Sequence, residues 1–370
     1  MALFVDDPSE PRRDRPIARA GWIVLLVALV IALILAMMPA PYVIDKPGPV
    51  FNTLGSTDAV GQHTKDDVPL ISITGEPVYP TKGSLDLLTV SQVGNPSQRP
   101  NWLGVIEAWF DKSAAVIPID KAFPPEVTQK EVAAESEAAM VNSQQDAIAA
   151  ALTHLGYDFL ISVSVVSVPD DSPSAGILKA GDGVETVNGT AVHSITELRD
   201  ALQKNGAGKP ATLGITRDGA ARTVTVTPTT IGDTVVAGIN VKMEYRFPFD
   251  VEIQLDKVGG PSAGMMFALG IIDKLTPGAL QGGQDVAGTG TIDPSGTVGP
   301  IGGIQQKLYG AQRAGARWFL APQANCSEVR GHVPDGLTVF AVKTLDDAMK
   351  ALDAIRTGSG LSSLPTCSTS

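Results

Sequence analysis

Two stretches organise the carboxy-terminal half of this chain: Val258–Gly264, V-G-G-P-S-A-G, and Ile301–Lys307, I-G-G-I-Q-Q-K. Strand-like V-E-I-Q-L (251–255) runs into the Gly-Gly-Pro turn, and the apolar run behind it predicts a helix over 262–275. Glycine lets a backbone approach a substrate closely, and proline stiffens the turn. A serine at this junction faces unpaired N–H groups and the positive end of a helix dipole. Gly259, Gly260 and Pro261 are therefore read as the turn that presents Ser262 and supplies an oxyanion site. The plainer reading of Ser262 alone is a helix cap. Lys307 stands forty-five residues further on, in a predicted helix over 304–314 whose apolar face is Ile304, Leu308 and Ala311. At the border of that face an ammonium either snorkels to water or loses its solvation. Loss of solvation lowers its pKa, and a neutral lysine can accept a serine's proton. Thr289, in A-G-T-G-T-I, is either the hydroxyl that orients the lysine or an ordinary strand threonine.

Outward from these motifs, strands D-V-A-G-T-G-T-I, R-W-F-L-A-P and T-V-F-A-V alternate with helices over 304–314 and 345–355. That alternation predicts an α/β unit over 238–356. A compact β-rich unit precedes it over 157–230, with turns at Asn188-Gly189 and Asp218-Gly219 and a helix over 195–204. Residues 41–156 read as a β/α segment associated with the last unit. They hold strands at 68–75 and 84–90, and a long helix over 128–155 that stops at Gly156. Trp102, Val105, Ile106 and Trp109 form a helical stripe expected to pack into a core. The Gly/Ser/Thr-rich tail 357–370 is expected to be disordered. The fold class is thus α+β and multidomain.

Residues 20–44 carry no charge, and Arg12, Arg13, Arg15 and Arg19 precede them. A run of that length crosses ~30 Å of hydrocarbon. The charge bias predicts a cytoplasmic tail (1–19), a single-pass transmembrane anchor (20–40) and everything after Pro41 on the extracytoplasmic side of the cell membrane. A buried core helix and a signal peptide cut near Ala40 are the alternatives, but the run is longer than a signal's apolar region. Two cysteines, Cys326 and Cys367, make no disulfide scaffold. One bridge and two free thiols both fit. The net charge of −11 argues against nucleic acid as partner. No Cys/His grouping suggests a metal, and no cofactor is expected. N-G-A-G-K-P (205–210) is no P-loop, because proline follows the lysine.

The run S-P-S-A-G-I-L-K-A-G-D-G-V-E-T-V-N-G resembles bacterial PDZ domains attached to exported proteases. G-G-P-S-A-G, D-V-A-G-T-G-T-I-D-P-S-G-T-V-G-P-I-G-G-I-Q-Q-K and A-G-A-R-W-F-L-A-P together resemble the proteolytic domain of Lon-type Ser/Lys peptidases. The order of the whole chain is similar to the membrane-anchored PDZ–Lon family of Gram-positive bacteria, the YlbL type. The resemblance implies Ser262 as nucleophile, Lys307 as general base and Thr289 as the lysine's supporting hydroxyl. It also implies a homo-oligomer, since Lon-type domains assemble into rings. Gly259 and Thr291 stand where Lon has acidic residues, so no carboxylate role carries over.

The expected function is an ATP-independent, membrane-anchored serine endopeptidase acting on protein or peptide substrates. The PDZ-like unit would capture an extended segment by adding it to a strand edge that carries Ile161, Val163 and Val165, beside the helix over 195–203. The alternatives are a PDZ adaptor built on an inactive peptidase fold, and a Ser-His hydrolase using His332 or His193.

Overall fold

The computed structural model describes residues 16–62, 68–124, 128–232, 234–255 and 258–367. In chain order the first elements are α1 (Pro16–Met37), β1 (Tyr42–Asn52), β2 (Ile71–Thr74), β3 (Ser84–Val93), α2 (Trp102–Phe110), β4 (Ala115–Pro118), α3 (Ile119–Ala122) and α4 (Gln129–His154). Then follow β5 (Leu160–Ser167), β6 (Gly183–Val187), β7 (Thr190–Ala191), α5 (Ile195–Asn205), β8 (Ala211–Arg217), β9 (Ala220–Val226), β10 (Thr229–Ile231), β11 (Thr234–Val236) and β12 (Asn240–Arg246). The last group is β13 (Asp250–Ile253), α6 (Gly264–Leu275), β14 (Asp285–Gly288), β15 (Thr291–Ile292), β16 (Val298–Gly299), α7 (Ile304–Arg313), β17 (Trp318–Pro322), α8 (Cys326–Val329), β18 (Thr338–Val342) and α9 (Leu345–Thr357).

One six-stranded sheet, in the order β18-β17-β14-β3-β1-β4, carries the peptidase-like half. Strands β3, β14, β17 and β18 run parallel, while β1 is antiparallel to both of its neighbours, β3 and β4. Helices cover both faces. Leu85, Leu87, Val286, Leu320 and Phe340 face α4, α6 and α9. Leu88, Ala287, Phe319, Ala321 and Val339 face α7 and α8. Burial on both faces explains why these strands read as continuous apolar runs rather than alternating ones. It also explains why α6, M-M-F-A-L-G-I-I, is apolar nearly all round.

The segment before the β-rich unit and the unit after it share this sheet. The second module, sheet β12-β5-β6-β8-β9 with α5, is therefore an insertion between α4 and β13. Its turns use Asn188 and Asp218 at positive φ, each followed by glycine, as the hairpins require. A forked pair, Arg217 on Asp182 at 2.6 Å, ties the end of β8 to the Gly-Asp turn. The long helix α4 starts on a capping box, Thr128 with Glu131, and packs along α6.

Several sequence expectations need correction, three of them in the fold. Trp109 is 57% exposed rather than in the core: α2 buries only Val105 and Ala108, against Ala40 and Ile44. The tail 357–370 is not disordered over its described part. Thr366 bridges the sheet-edge residue Phe340, the Ala341 N–H donates to Pro365, and a disulfide joins Cys326 to Cys367. A free sheet edge and a nearby thiol give this Gly/Ser/Thr-rich segment the partners its composition does not advertise. The third correction concerns β5 and is taken up below.

Of the expected tail 1–19, residues 1–15 lie outside the described residues. In α1, side-chain exposure is described from Gly21 onward, and it includes outward-facing Trp22, Leu25, Leu29 and Leu33. Among the described residues no helix is long and apolar enough to cross a membrane.

Candidate active site

The site gathers at the carboxyl ends of the parallel strands β3 and β14, where open α/β sheets leave a crevice. Thr289 immediately follows β14, and its N–H donates to Leu320 of β17 at 3.1 Å. Ser262 stands in the turn between β13 and α6. Gly260 holds φ +84°, a left-handed conformation costly for any side chain. Lys307 lies in the first turn of α7, whose cap Gly303 is also left-handed and is packed against Val90.

Lys307 Nζ sits 2.7 Å from Ser262 Oγ and 2.9 Å from Thr289 Oγ1. The Thr289 hydroxyl donates to the Ser262 carbonyl at 2.9 Å, and the Gly290 N–H donates to the same oxygen at 2.9 Å. With its one proton committed, Thr289 Oγ1 can only accept from the lysine, which fixes the amine's orientation. Lys307 is 2% exposed, and burial lowers its pKa to about 7. Among the described residues no carboxylate offsets that loss of solvation. About half of the lysine is thus neutral near pH 7, and more above it, with a lone pair for the serine proton.

The cleft at Ser262 encloses about 630 Å³, with Phe51, Leu87, Met140 and Val258 as its apolar wall. A larger groove of about 1060 Å³, lined by α4 and β13, adjoins it through Met140, Val258 and Gly259. Together they give a path for an extended chain past Ser262. Among the described residues no histidine lines the cleft, so neither His332 nor His193 serves as its base.

The oxyanion expectation shifts by one or two residues. Pro261 has no N–H, and the Gly260 N–H is spent on Ser136 of α4 at 2.9 Å. Among the described residues, the N–H groups of Ser262 and Ala263, like that of Gly259, have no protein acceptor, and the first two lie at the serine itself. Sequence reading also missed Asn325. Its buried amide accepts from the Ile301 N–H at 3.0 Å and donates to the Ile301 carbonyl at 2.9 Å, pinning the loop that leads to Lys307. Nothing in A-P-Q-A-N signals that role.

The capture edge was misplaced. Strand β5 lies between β12 and β6, so Ile161, Val163 and Val165 pair with Tyr245, Met243 and Val241 and offer no free edge. The strand that follows the 157–230 unit in sequence, β12, returns to cover it. Among the described residues β12 pairs only with β5, and it borders α5. The open edge beside the helix is therefore Asn240–Arg246.

Comparison with known proteins finds two matched stretches. Residues 255–354 match the Lon protease (S16) C-terminal proteolytic domain, and residues 136–227 match the PDZ domain. Lon protease 2 of Herpetosiphon aurantiacus is 39% identical over 107 residues, 27% of this chain and 13% of that protein. Lon protease 1 of Bacillus subtilis is 30% identical over 119 residues, 30% of this chain and 15% of that protein. The chain thus spans a small fraction of these relatives' length. The PDZ domain of an SdrC-like protein from Listeria innocua is 27% identical, covering 22% of this chain and 92% of that one, at a TM-score of 0.21. The PDZ match begins inside α4, although α4 packs on the peptidase helix α6. The chain joins a PDZ domain to a proteolytic domain of the Lon (S16) serine-peptidase type.

Proposed function

We propose that this chain is a membrane-anchored serine endopeptidase that works without ATP, on the extracytoplasmic side, with Ser262 as nucleophile and Lys307 as general base. The observation that carries the reading is the 2.7 Å contact between a buried lysine amine and the serine hydroxyl. Ser262 Oγ attacks the scissile carbonyl carbon while Lys307 Nζ takes its proton. The carbonyl electrons move onto oxygen, where the Ser262 and Ala263 N–H groups receive the charge. The lysine ammonium then protonates the departing amine nitrogen, and the C–N bond breaks to leave an ester on Ser262. Water attacks that ester, giving a proton to Lys307, and the acid product leaves as Oγ regains it. Thr289 holds the amine in line throughout.

The PDZ domain is the substrate-capture module, with β12 and α5 as its groove. Outward-facing apolar residues of α1 and the uncharged sequence run 20–44 support the anchor, and the arginines before it support the orientation. The Cys326–Cys367 bridge fits an oxidising compartment. An extracytoplasmic site fits the absence of a P-loop sequence, and the homo-oligomer implied by the Lon resemblance is part of the proposal.

The test uses the full chain in detergent micelles with an unstructured protein substrate and no nucleotide. Wild type is expected to cut, while Ser262→Ala and Lys307→Ala are silent. Cleavage by Lys307→Ala at the wild-type rate refutes the base assignment, and equal inertness of all three favours a PDZ adaptor.

A further inference from the structure

Helix α4 lies outside the stretch that matches the Lon proteolytic domain, yet it touches the catalytic turn at two points. The Ser136 carbonyl accepts the Gly260 N–H at 2.9 Å. Seven residues on, two helical turns along the same face, the Ser143 hydroxyl donates to the Pro261 carbonyl at 2.9 Å. Met140, between them, lines the cleft. Ser143 is 4% exposed, and its Oγ fills the space that a side chain at Gly264 would take.

The Pro261 carbonyl belongs to the same peptide unit as the Ser262 N–H. That unit is planar and trans, so the two groups point in opposite directions. Fixing the carbonyl toward α4 fixes the N–H away from it. A hydrogen bond into the carbonyl oxygen also polarises the amide and makes its N–H a better donor. We infer that Ser143 is a positioning residue for the oxyanion site: its hydroxyl sets the Pro261–Ser262 peptide plane so that the Ser262 N–H meets the developing oxyanion. The inference rests on the Ser262 peptidase reading and adds to it a residue that never touches substrate.

The experiment compares wild type, Ser143→Ala and Ser143→Thr in the full chain, with a fluorogenic peptide and a peptide boronate. The boron accepts an electron pair from Ser262 Oγ, whose proton goes to Lys307, and a boron-bound oxygen then occupies the oxyanion position. Ser143→Ala is expected to lower kcat about 10- to 100-fold, somewhat less than deleting an oxyanion donor outright. Boronate affinity should weaken by the same factor, KM should stay within about twofold, and the pH midpoint of the lysine limb should not move. Ser143→Thr, which keeps the hydroxyl, should restore most of both.

A kcat within twofold of wild type in Ser143→Ala overturns the inference. So does a fall in kcat with boronate affinity unchanged, or one accompanied by a shifted pH midpoint, which would mean the packing around Lys307 had loosened instead. The peptidase reading fails separately: in that case wild type is insensitive to boronate and no more active than Ser262→Ala, and the inference falls with it.

Discussion

Replacing Lys307 with methionine should stabilise the protein, and by an amount that depends on pH. An unfolded lysine titrates near its ordinary 10.5, whereas the buried one titrates at about 7. Well above 10.5 both states hold a neutral amine and burial costs nothing electrostatically. As pH falls from there, the unfolded state gains a proton that the folded state refuses, and stability drops until the folded pKa is reached. The linkage relation gives a cost of roughly 4 kcal/mol at pH 7 and about 2 kcal/mol at pH 9. Methionine keeps the apolar stem and removes the titrating group. Thr289 keeps its bond to the Ser262 carbonyl in the variant, and the two hydrogen bonds of the amine, to Ser262 and Thr289, are lost equally at every pH. Urea unfolding followed by tryptophan fluorescence, at pH 6 and pH 9, reads the difference between the two proteins. The gain at pH 6 should exceed the gain at pH 9 by about 2–3 kcal/mol. A gain of equal size at both values would mean that the lysine is not held neutral by burial, and the mechanism would lose its base.

Other consequences are narrower. The free-amine fraction sets the rate, so kcat/KM should level off above pH 7 and fall about tenfold per unit below it; a flat profile down to pH 5 would exclude Lys307 as the base. Asp86, buried in β3 with Oδ1 unpartnered, has its pKa raised to about 7, first by burial and then by Asp285, against a bond from Ser84. Its stabilisation is present below pH 4 and lost as pH rises through 7, so Asp86→Asn should raise stability at pH 8 by roughly 4 kcal/mol at most and leave pH 4 unchanged, by urea unfolding. A charge on the capture edge, Val241→Asp, should raise KM several-fold for an unfolded protein while sparing a short peptide; equal effects on both would reject capture at β12.

The legible parts of the fold were those with strong local signals. Asn188-Gly189 and Asp218-Gly219 announce hairpins, Thr128 with Glu131 announces the start of α4, and the apolar run after Ser262 announces α6. That Ser262, Lys307 and Thr289 would lie together was expected from the Lon resemblance of their glycine-bounded motifs, and the structure places them within hydrogen-bond reach. The association of 41–156 with the last unit was expected, but the strand pairing that makes the nest was not legible. That β3 pairs with β14 across the whole PDZ insertion is a non-local fact, and a strand's sequence does not name its neighbour. The same ignorance misplaced the capture edge: β5 reads as a strand with open sides, and only the return of β12 after residue 240 fills one of them. Trp109 and the tail failed for a related reason. Periodicity marks an apolar face without saying whether anything covers it, and composition marks a weak segment without showing that a sheet edge is waiting for it.

Gly259 connects these observations. Lon carries an acidic residue there, and this chain departs from it for a reason visible in α4. A Cβ at position 259 would force the Ser136 hydroxyl to rotate away and would sit tight against the Ser136 Cβ, and the next N–H already bonds the Ser136 carbonyl. The helix that clamps the turn therefore crowds the space the carboxylate's stem would need. Without that carboxylate, desolvation is what lowers the Lys307 pKa, and among the described residues no ion pair holds the ammonium form. A base poised near 7 and a turn pinned from α4 are thus two results of one packing choice. They can be separated experimentally. Ser136→Gly makes room and leaves the backbone bond to Gly260 available. In that background Gly259→Asp should fold and, if its carboxylate reaches the amine, move the lysine limb of the pH–rate profile upward by a unit or more. In the Ser136 background the same substitution should lower the thermal midpoint. Equal folding of Gly259→Asp in both backgrounds would show that Ser136 does not exclude the acid.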